Sequence, residues 1–266
     1  MTIPLYQVDA FTGTLFGGNP AAVCLLDRML PDRTMQQIAS ENNLSETAFV
    51  TKEDGRFHIR WFTPVSEVDL CGHATLGASH VLFTHQEGNG SRIEYRSRSG
   101  MLAASLIGEK IMLDFPADAI SKSELPAGLA DALGAQMPQE VYKGRTDYML
   151  VYGSEADILA MEPDFHRLKQ LPCRGIIVTA EGSDCDFVSR FFAPLEGINE
   201  DPVTGSAHTT LAPYWAGRLG KNRFTARQLS KRRGELAVQL RGDRVEIAGS
   251  AVTYMIGTIT LPDSMT

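Results

Sequence analysis

The sequence predicts an α+β protein of two pseudo-symmetric halves, each a curved, mostly antiparallel sheet wrapped around a central helix. Gly72 and Gly205 each open an apolar segment after an aromatic strand that ends in proline, and almost half of the 266-residue chain separates them. The blocks 100–108 and 234–242 both begin and end in glycine and repeat at the same offset to within one residue. Two blocks that share one offset indicate an internal duplication. Hairpins outnumber crossovers, which favours α+β over a doubly wound parallel sheet.

The elements of the first half follow from short apolar or alternating runs bounded by turn residues. These runs predict strands near Leu5–Ala10, Ala22–Leu26, Thr47–Thr51 and Phe57–Thr63. Residues 31–42 have helical spacing, with Asp32 and Thr34 as start signals. A central helix is expected to begin at the Gly72 turn, and a hairpin then pairs 102–106 with 111–115.

The second half repeats this order with a helix from the Gly205 turn and a hairpin that pairs 236–240 with 245–248. Residues 116–138, with a short helix at 129–133, are expected to connect the halves. The predicted domains are 1–118 and 119–266, with chain ends that can cross over between them.

Composition limits the partners. The chain is 43% hydrophobic and 21% charged, as in soluble globular proteins. Its net charge is -7 and its longest basic run is 231–233, so nucleic acid is not an expected partner. The sequence shows no signal peptide and no apolar run long enough for a bilayer, so we expect a cytoplasmic protein without a membrane partner. Four widely spaced cysteines without CxxC spacing predict reduced thiols and no metal site.

The two glycine turns carry the functional prediction. A helix start leaves N–H groups without intrahelical partners and bears partial positive charge, so it attracts carboxylates and developing oxyanions. Glycine lets the backbone approach a ligand closely. Two such starts that face each other would form an anion site without a metal or an arginine.

Four polar residues near these turns are candidate acid–base groups. His73 follows Gly72, and a helix start disfavours its cation, which predicts a lowered pKa. Ser206 occupies the matching place in the second half. Asp201 is either an electrostatic cap or a second acid or base, and spacing leaves both open. Glu46, at the entry to an apolar strand, is suited to proton transfer if it is partly desolvated.

Five stretches, in order along the chain, together resemble the phenazine-biosynthesis PhzF-like isomerase family, whose members have the diaminopimelate epimerase-like fold. They are Val8–Thr12, Gly18–Val23, Ser45–Phe49, Phe62–Pro64 with Cys71–Thr75, and Glu200–Ala207. The resemblance implies that Glu46 is the base and acid of a cofactor-free proton shift on a small carboxylate-bearing substrate, and that His73, Asp201 and Ser206 complete the site. It also implies substrate binding by Gly72, Gly205, Asn19 and Thr204, and a homodimer.

Two alternatives stay open. The first is an amino-acid epimerase that uses Glu46 with His73 or Asp201 as bases on opposite faces. Epimerases of this fold class use a cysteine at each glycine turn, but here Cys71 is matched by Thr204, and a threonine hydroxyl is too weak a base for that mechanism. The second alternative is a non-catalytic protein that binds small acids.

Overall fold

The computed structural model describes residues 1–85 and 90–265. Its backbone contacts divide the chain into two compact units: unit 1 is 1–114 with 248–266, and unit 2 is 115–247. The sequence placed the division at 118/119 and allowed the chain ends to cross over. The last strand of the chain pairs with the first, from Thr2 opposite Thr260 to Ala10 opposite Ala251, so the C-terminal segment lies in unit 1.

In chain order the first elements are β1 (Thr2–Ala10), β2 (Asn19–Leu26), α1 (Asp32–Asn42), β3 (Glu46–Glu53), β4 (Arg56–Phe62), β5 (Glu67–Val68), α2 (Gly72–His85), β6 (Arg92–Ser97), β7 (Gly100–Ile107) and β8 (Lys110–Pro116). The four strands, the first helix and the hairpin predicted from the sequence of this half all form within these bounds or close to them. The short strand β5 and the strand β6 were not predicted.

The elements that follow are β9 (Ser121–Lys122), α3 (Leu129–Ala132), β10 (Glu140–Lys143), β11 (Asp147–Val151), α4 (Glu155–Leu159), α5 (Phe165–Leu168), β12 (Gly175–Glu181), β13 (Phe187–Phe192), α6 (Gly205–Leu219), β14 (Arg223–Gln228), β15 (Gly234–Arg241), β16 (Arg244–Gly249) and β17 (Ala251–Thr260). Short 3-10 turns lie at Pro194–Glu196 and Asp263–Met265.

Strand pairing repeats between the units. In unit 1, β1 is antiparallel to β2, β2 parallel to β3, β3 antiparallel to β4, β4 parallel to β6, and β6 antiparallel to β7. In unit 2 each strand from β10 to β15 pairs with the next one, and the pairs alternate in the same way between antiparallel and parallel. Each parallel pair is joined through a helical segment, as parallel pairing requires. The predicted α+β fold of two related, mostly antiparallel halves is confirmed.

The helices that begin at the two glycine turns are the central ones. Almost every residue of α2 from His73 to Leu82 is buried, and small residues allow it to lie close to β1 and β2. At Gly77, an added Cβ would be in ordinary contact with the side chains of Val8 and Ala21. Helix α6 buries most of the stretch from Gly205 to Trp215. A helix that is apolar on all sides belongs in a core, because it has no face suited to water.

A glycine fixes the start of β2. Gly18 has φ +60°, and a Cβ there would lie 2.1 Å from the carbonyl oxygen of Ala10. Only glycine avoids this collision and adopts the left-handed conformation without strain. The next residue, Asn19, pairs with Ala10 and is fully buried. In the described residues, no helix combines the length and apolar content that crossing a bilayer requires.

Candidate active site

A buried carboxylate and a buried imidazole face each other in unit 1. Glu46 is the first residue of β3, and His73 is the second residue of α2; they are 8% and 5% exposed. Oε2 of Glu46 lies 3.1 Å from Nε2 of His73. This is ion-pair distance, and within the described residues neither atom has a further hydrogen-bond partner. Two buried polar atoms without directed partners are costly to a fold and are typical of functional sites.

The other edge of the His73 ring faces two further side chains. Its Nδ1 lies 3.2 Å from Nδ2 of Asn19 and 3.5 Å from Sγ of Cys71. An amide next to a ring nitrogen serves either protonation state, because NH2 donates to a lone pair and the oxygen accepts from N–H. Here Nδ2 faces Nδ1, so the Asn19 NH2 donates to an unprotonated Nδ1, and an imidazolium would require the amide to turn its oxygen towards the ring.

Neighbouring groups control the charge of His73. Burial opposes its charged form, but the sulfur of Cys71 and the carboxylate of Glu46, through charge and hydrogen bonding, raise the pKa of His73 well above 6.5. Burial, followed by the Glu46 charge, raises the pKa of Cys71 to about 11, so Cys71 is a neutral thiol near pH 7. Glu46 is then the charge that favours the imidazolium. The lowered pKa predicted for His73 from the helix start alone is wrong in direction, since a full charge at 3.1 Å outweighs a helix terminus.

The turn before α6 in unit 2 is held by a dense set of hydrogen bonds. The hydroxyl of Thr204 donates to Oδ2 of Asp201 at 2.5 Å. The side chain of Gln228 accepts from the N–H of Thr204 at 2.8 Å, and its NH2 donates to the carbonyl of Asp201 at 2.8 Å and to Oγ1 of Thr204 at 3.0 Å. All three residues are buried.

The first turn of α6 combines a buried histidine with an exposed serine. Nδ1 of His208 donates to the carbonyl of Thr204 at 2.8 Å, and burial lowers the pKa of His208 to about 4, so this ring is neutral near pH 7. Ser206 is exposed. Thr204 precedes the helix as its N-cap residue, yet its side chain makes no capping bond. Its hydroxyl donates a hydrogen bond to Asp201 instead.

The predicted site residues therefore fall into two groups. Asn19, Glu46, Gly72 and His73 lie together in unit 1, and Asp201, Thr204, Gly205 and Ser206 lie together in unit 2. Each group is built around a glycine that opens a central helix, as the sequence predicts.

One cluster has the composition of a small cation site. Glu46, Cys71 and His73 each offer a ligand atom, and these atoms lie within 4.8 Å of one another. A soft divalent ion would have to displace the proton of Cys71, whose raised pKa makes that step unfavourable at neutral pH. The metal-free site of the sequence analysis stays a prediction.

The family model described as phenazine biosynthesis-like protein (PhzC-PhzF) matches residues 8–257. The chain belongs to the phenazine biosynthesis-like family. An uncharacterized isomerase of Pseudomonas aeruginosa is 52% identical over 261 residues, covering 98% of this chain and 100% of that protein. A phenazine biosynthesis-like domain-containing protein 1 of Mus musculus is 43% identical, with the same coverage of both chains.

Solved structures extend the likeness to the fold. A PhzF-family phenazine biosynthesis protein of Enterococcus faecalis superposes with a TM-score of 0.95 at 45% identity, covering 98% of this chain and 100% of that one. A hydroxyproline epimerase of Agrobacterium vitis superposes with a TM-score of 0.63 at 11% identity, covering 97% and 91%. The second likeness shows a shared fold, so the phenazine biosynthesis-like family and this epimerase have one architecture.

Gln228 lies in β14 and hydrogen-bonds to the turn before α6, but it was not predicted from the sequence. It belongs to no motif around the glycine turns and lies far along the chain from Asp201. A signal does exist in β14, where Phe224, Ala226 and Gln228 alternate with more exposed residues. A polar residue in the inward register of an apolar strand needs internal partners.

Proposed function

We propose that this protein is a cofactor-independent isomerase that moves a proton between two carbons of a small carboxylate-bearing substrate, in an allylic or 1,3-type shift. The observation that carries the proposal is the buried Glu46 carboxylate, which lies 3.1 Å from the His73 imidazole beside the start of α2. A carboxylate shielded from water and next to a second proton carrier can take up a proton and return it. Relatives named isomerases in the same family support this reaction class.

The proposed reaction conserves atoms and electrons. Glu46 removes a proton from a carbon activated by conjugation, and the electron pair of the broken C–H bond moves into the conjugated system. The delocalised anion then takes the proton back from Glu46 at another carbon, and the double bond moves with it. Glu46 is a neutral carboxylic acid between the two transfers; His73 stabilises its carboxylate form before the first and after the second, because its pKa is raised and its imidazolium form is favoured.

Substrate binding is assigned to the residues at the two helix starts, Gly72 with Asn19 and Gly205 with Thr204. Open N–H groups at a helix start bind carboxylates and developing negative charge. Each preorganised donor of this kind contributes about 3 kcal/mol to transition-state stabilisation. Asp201 and Ser206, at the second start, are proposed to complete the acid–base set.

The test is deuterium exchange. A panel of small conjugated carboxylates is incubated with the protein in D2O, and NMR locates the incorporated deuterium. Deuterium at a carbon next to a displaced double bond supports the isomerase. Inversion at the exchanging carbon would support an amino-acid epimerase that uses Glu46 with His73 or Asp201. Binding without exchange would support a non-catalytic carboxylate-binding protein.

The decisive variant is Glu46→Gln, which keeps the shape of the side chain but cannot carry a proton. We expect exchange to fall at least about 100-fold while the folded structure is retained. Glu53→Gln is the matched control, because Glu53 ends the same strand with an exposed side chain. Deuterium exchange at the wild-type rate in Glu46→Gln would contradict the proposal.

We further propose that the protein acts as a homodimer in the cytoplasm. Unit 1 exposes apolar side chains that include Phe16, 69% exposed, and Ile256, 60% exposed, and the Phe16 ring packs against Tyr254 at 5.8 Å. Exposed apolar groups of this kind favour association. Light scattering after size exclusion should give twice the chain mass of 29.1 kDa, and Ile256→Lys should lower it towards one chain.

A further inference from the structure

Gln228 makes three hydrogen bonds to the turn that begins α6. Its side chain is fully buried at the end of β14, where it pairs in register with Ser189 and Gly234. Oε1 accepts from the N–H of Thr204, and Nε2 donates to the carbonyl of Asp201 and to Oγ1 of Thr204.

The partners fix the orientation of the amide. A flipped Gln228 would place its NH2 against the N–H of Thr204 and its oxygen against the carbonyl of Asp201, so both contacts would become repulsive. The orientation in turn fixes the Thr204 hydroxyl. Since that oxygen accepts from Gln228, its own hydrogen is free to point at Oδ2 of Asp201, 2.5 Å away. A directed chain therefore runs from the amide through the hydroxyl to the carboxylate.

Every polar group of Thr204 is held in this way. Gln228 binds its N–H, Gln228 and Asp201 share its hydroxyl, and His208 donates to its carbonyl. Because the hydroxyl is committed to Asp201, it does not cap the helix. The Thr204 side chain therefore leaves the N–H groups that follow at the start of α6 uncapped.

We propose that Gln228 is a positioning residue that holds the Asp201 carboxylate and the start of α6 in their working geometry through Thr204. This inference rests on the proposed function, in which Asp201 and the Gly205 turn serve the reaction. Gln228 itself makes its three hydrogen bonds to the turn, so it acts on the chemistry through its neighbours. Misplacement of a reacting group by about 1 Å is enough to cost on the order of 100-fold in rate.

The variants are Gln228→Met, which keeps the length and loses all three bonds, and Gln228→Glu, which keeps only an acceptor for the Thr204 N–H. Ser230→Ala is the matched control. Ser230 is also buried and donates to the carbonyl of Pro202 in the same turn at 2.8 Å, and within the described residues its hydroxyl forms no hydrogen bond with Asp201 or Thr204. If Gln228→Met does not fold, Gln228→Glu, which loses both bonds donated by the Gln228 amide, supplies the turnover measurement.

The first readout needs no substrate. Native-state hydrogen exchange at the Thr204 amide should accelerate at least tenfold in Gln228→Met and stay within threefold of wild type in Ser230→Ala. Unchanged protection of that amide in Gln228→Met would overturn the inference. This readout is independent of turnover, so it decides the role of Gln228 even if no tested carboxylate exchanges with wild-type protein, a result that would count only against the proposed function.

The second readout uses any carboxylate from the panel that wild-type protein does exchange. Gln228→Met should lower kcat for exchange about 100-fold, with a smaller change in KM. The double variant Gln228→Met with Thr204→Val should have a kcat only slightly below that of the more impaired single variant. Both substitutions break the same hydrogen-bond chain from Gln228 through Thr204 to Asp201. Additive losses in the double variant would show that Gln228 acts independently of Thr204 and would reject the positioning role.

Discussion

Nε2 of His73 and Oε2 of Glu46 lie 3.1 Å apart, although 27 positions separate the residues in the chain and both are buried. The parallel pairing of β2 with β3 places Glu46 opposite Ala21, two residues after Asn19, and Asn19 contacts the far edge of the same imidazole. One strand register therefore brings base, imidazole and orienting amide together.

The charge of His73 should depend on Glu46. In wild-type protein the imidazole should still be protonated above pH 6.5, because its pKa is raised well above that value. In Glu46→Gln the carboxylate is gone and burial dominates, so the pKa of His73 should fall below 6.5. Histidine NMR titrations of both proteins, assigned with His73→Gln, check this. The same pKa in wild type and Glu46→Gln would contradict it.

The sign of the pH effect on stability follows from the same shift. A raised folded-state pKa contributes stability that is fully present below the unfolded value near 6.5 and is lost as pH rises through the folded value. The free energy of unfolding of wild-type protein should therefore fall, as the pH rises above 6.5, more steeply than that of His73→Gln. Urea titrations at several pH values measure this difference.

Cys71 should be unreactive and dispensable for proton transfer. Its pKa is raised to about 11 by burial, and thiolate is the reactive form. Iodoacetamide should therefore modify the half-buried Cys185 before Cys71, and Cys71→Ser should keep exchange within about tenfold of wild type. A loss beyond about 100-fold in Cys71→Ser would favour a thiolate base and an epimerase-type reaction instead.

Gly18→Ala should unfold at clearly lower urea concentration than wild type. The new Cβ meets the carbonyl of Ala10 at 2.1 Å, so the cost should exceed about 2 kcal/mol. Gly55→Ala is the control, since Gly55 also has positive φ but an added Cβ there meets nothing within 4 Å; about 1 kcal/mol is expected. Equal losses in the two variants would show that backbone conformation alone matters at Gly18.

Arg190→Met should weaken unit 2 next to the Asp201 turn. The guanidinium makes two bonds to Glu200, at 2.7 and 3.1 Å, and two more to the carbonyls of Ile158 and Met161. Without the guanidinium, the largely buried Glu200 carboxylate and the two carbonyls lose this donor, which should lower the free energy of unfolding by about 2–3 kcal/mol. Arg92→Met, in an exposed pair with Glu94, should cost less than about 0.5 kcal/mol in the same urea assay.

Patterns within single segments of the sequence predicted most of the fold. Apolar alternation located β1 to β4, glycine marked the starts of α2 and α6, and the repeated offset predicted two related halves. The parallel pairings of β2 with β3 and of β11 with β12 were not foreseen, because parallel partners are joined through a long connection and leave no local hairpin signal. The return of the C-terminal strand to β1 was allowed for but not located.

For the site, the motifs named side chains that the structure places in two groups, one near the start of each central helix. The motifs did not predict properties that depend on the surroundings of a side chain, such as the pKa of His73. The helix terminus predicts a lowered pKa for His73, but Glu46 arrives from another strand and reverses the direction. Gln228 was missed for the same reason, since its partners lie more than twenty positions away.

The sequence by itself determined the duplicated plan, the two glycine-opened helices and the family, because these depend on local periodicity, backbone freedom and motif order. The tertiary structure decided which buried groups meet: Glu46 with His73, and Gln228 with Asp201 and Thr204. The physical reason is that charge state and hydrogen-bond direction depend on distance and burial in three dimensions, and strand register sets both.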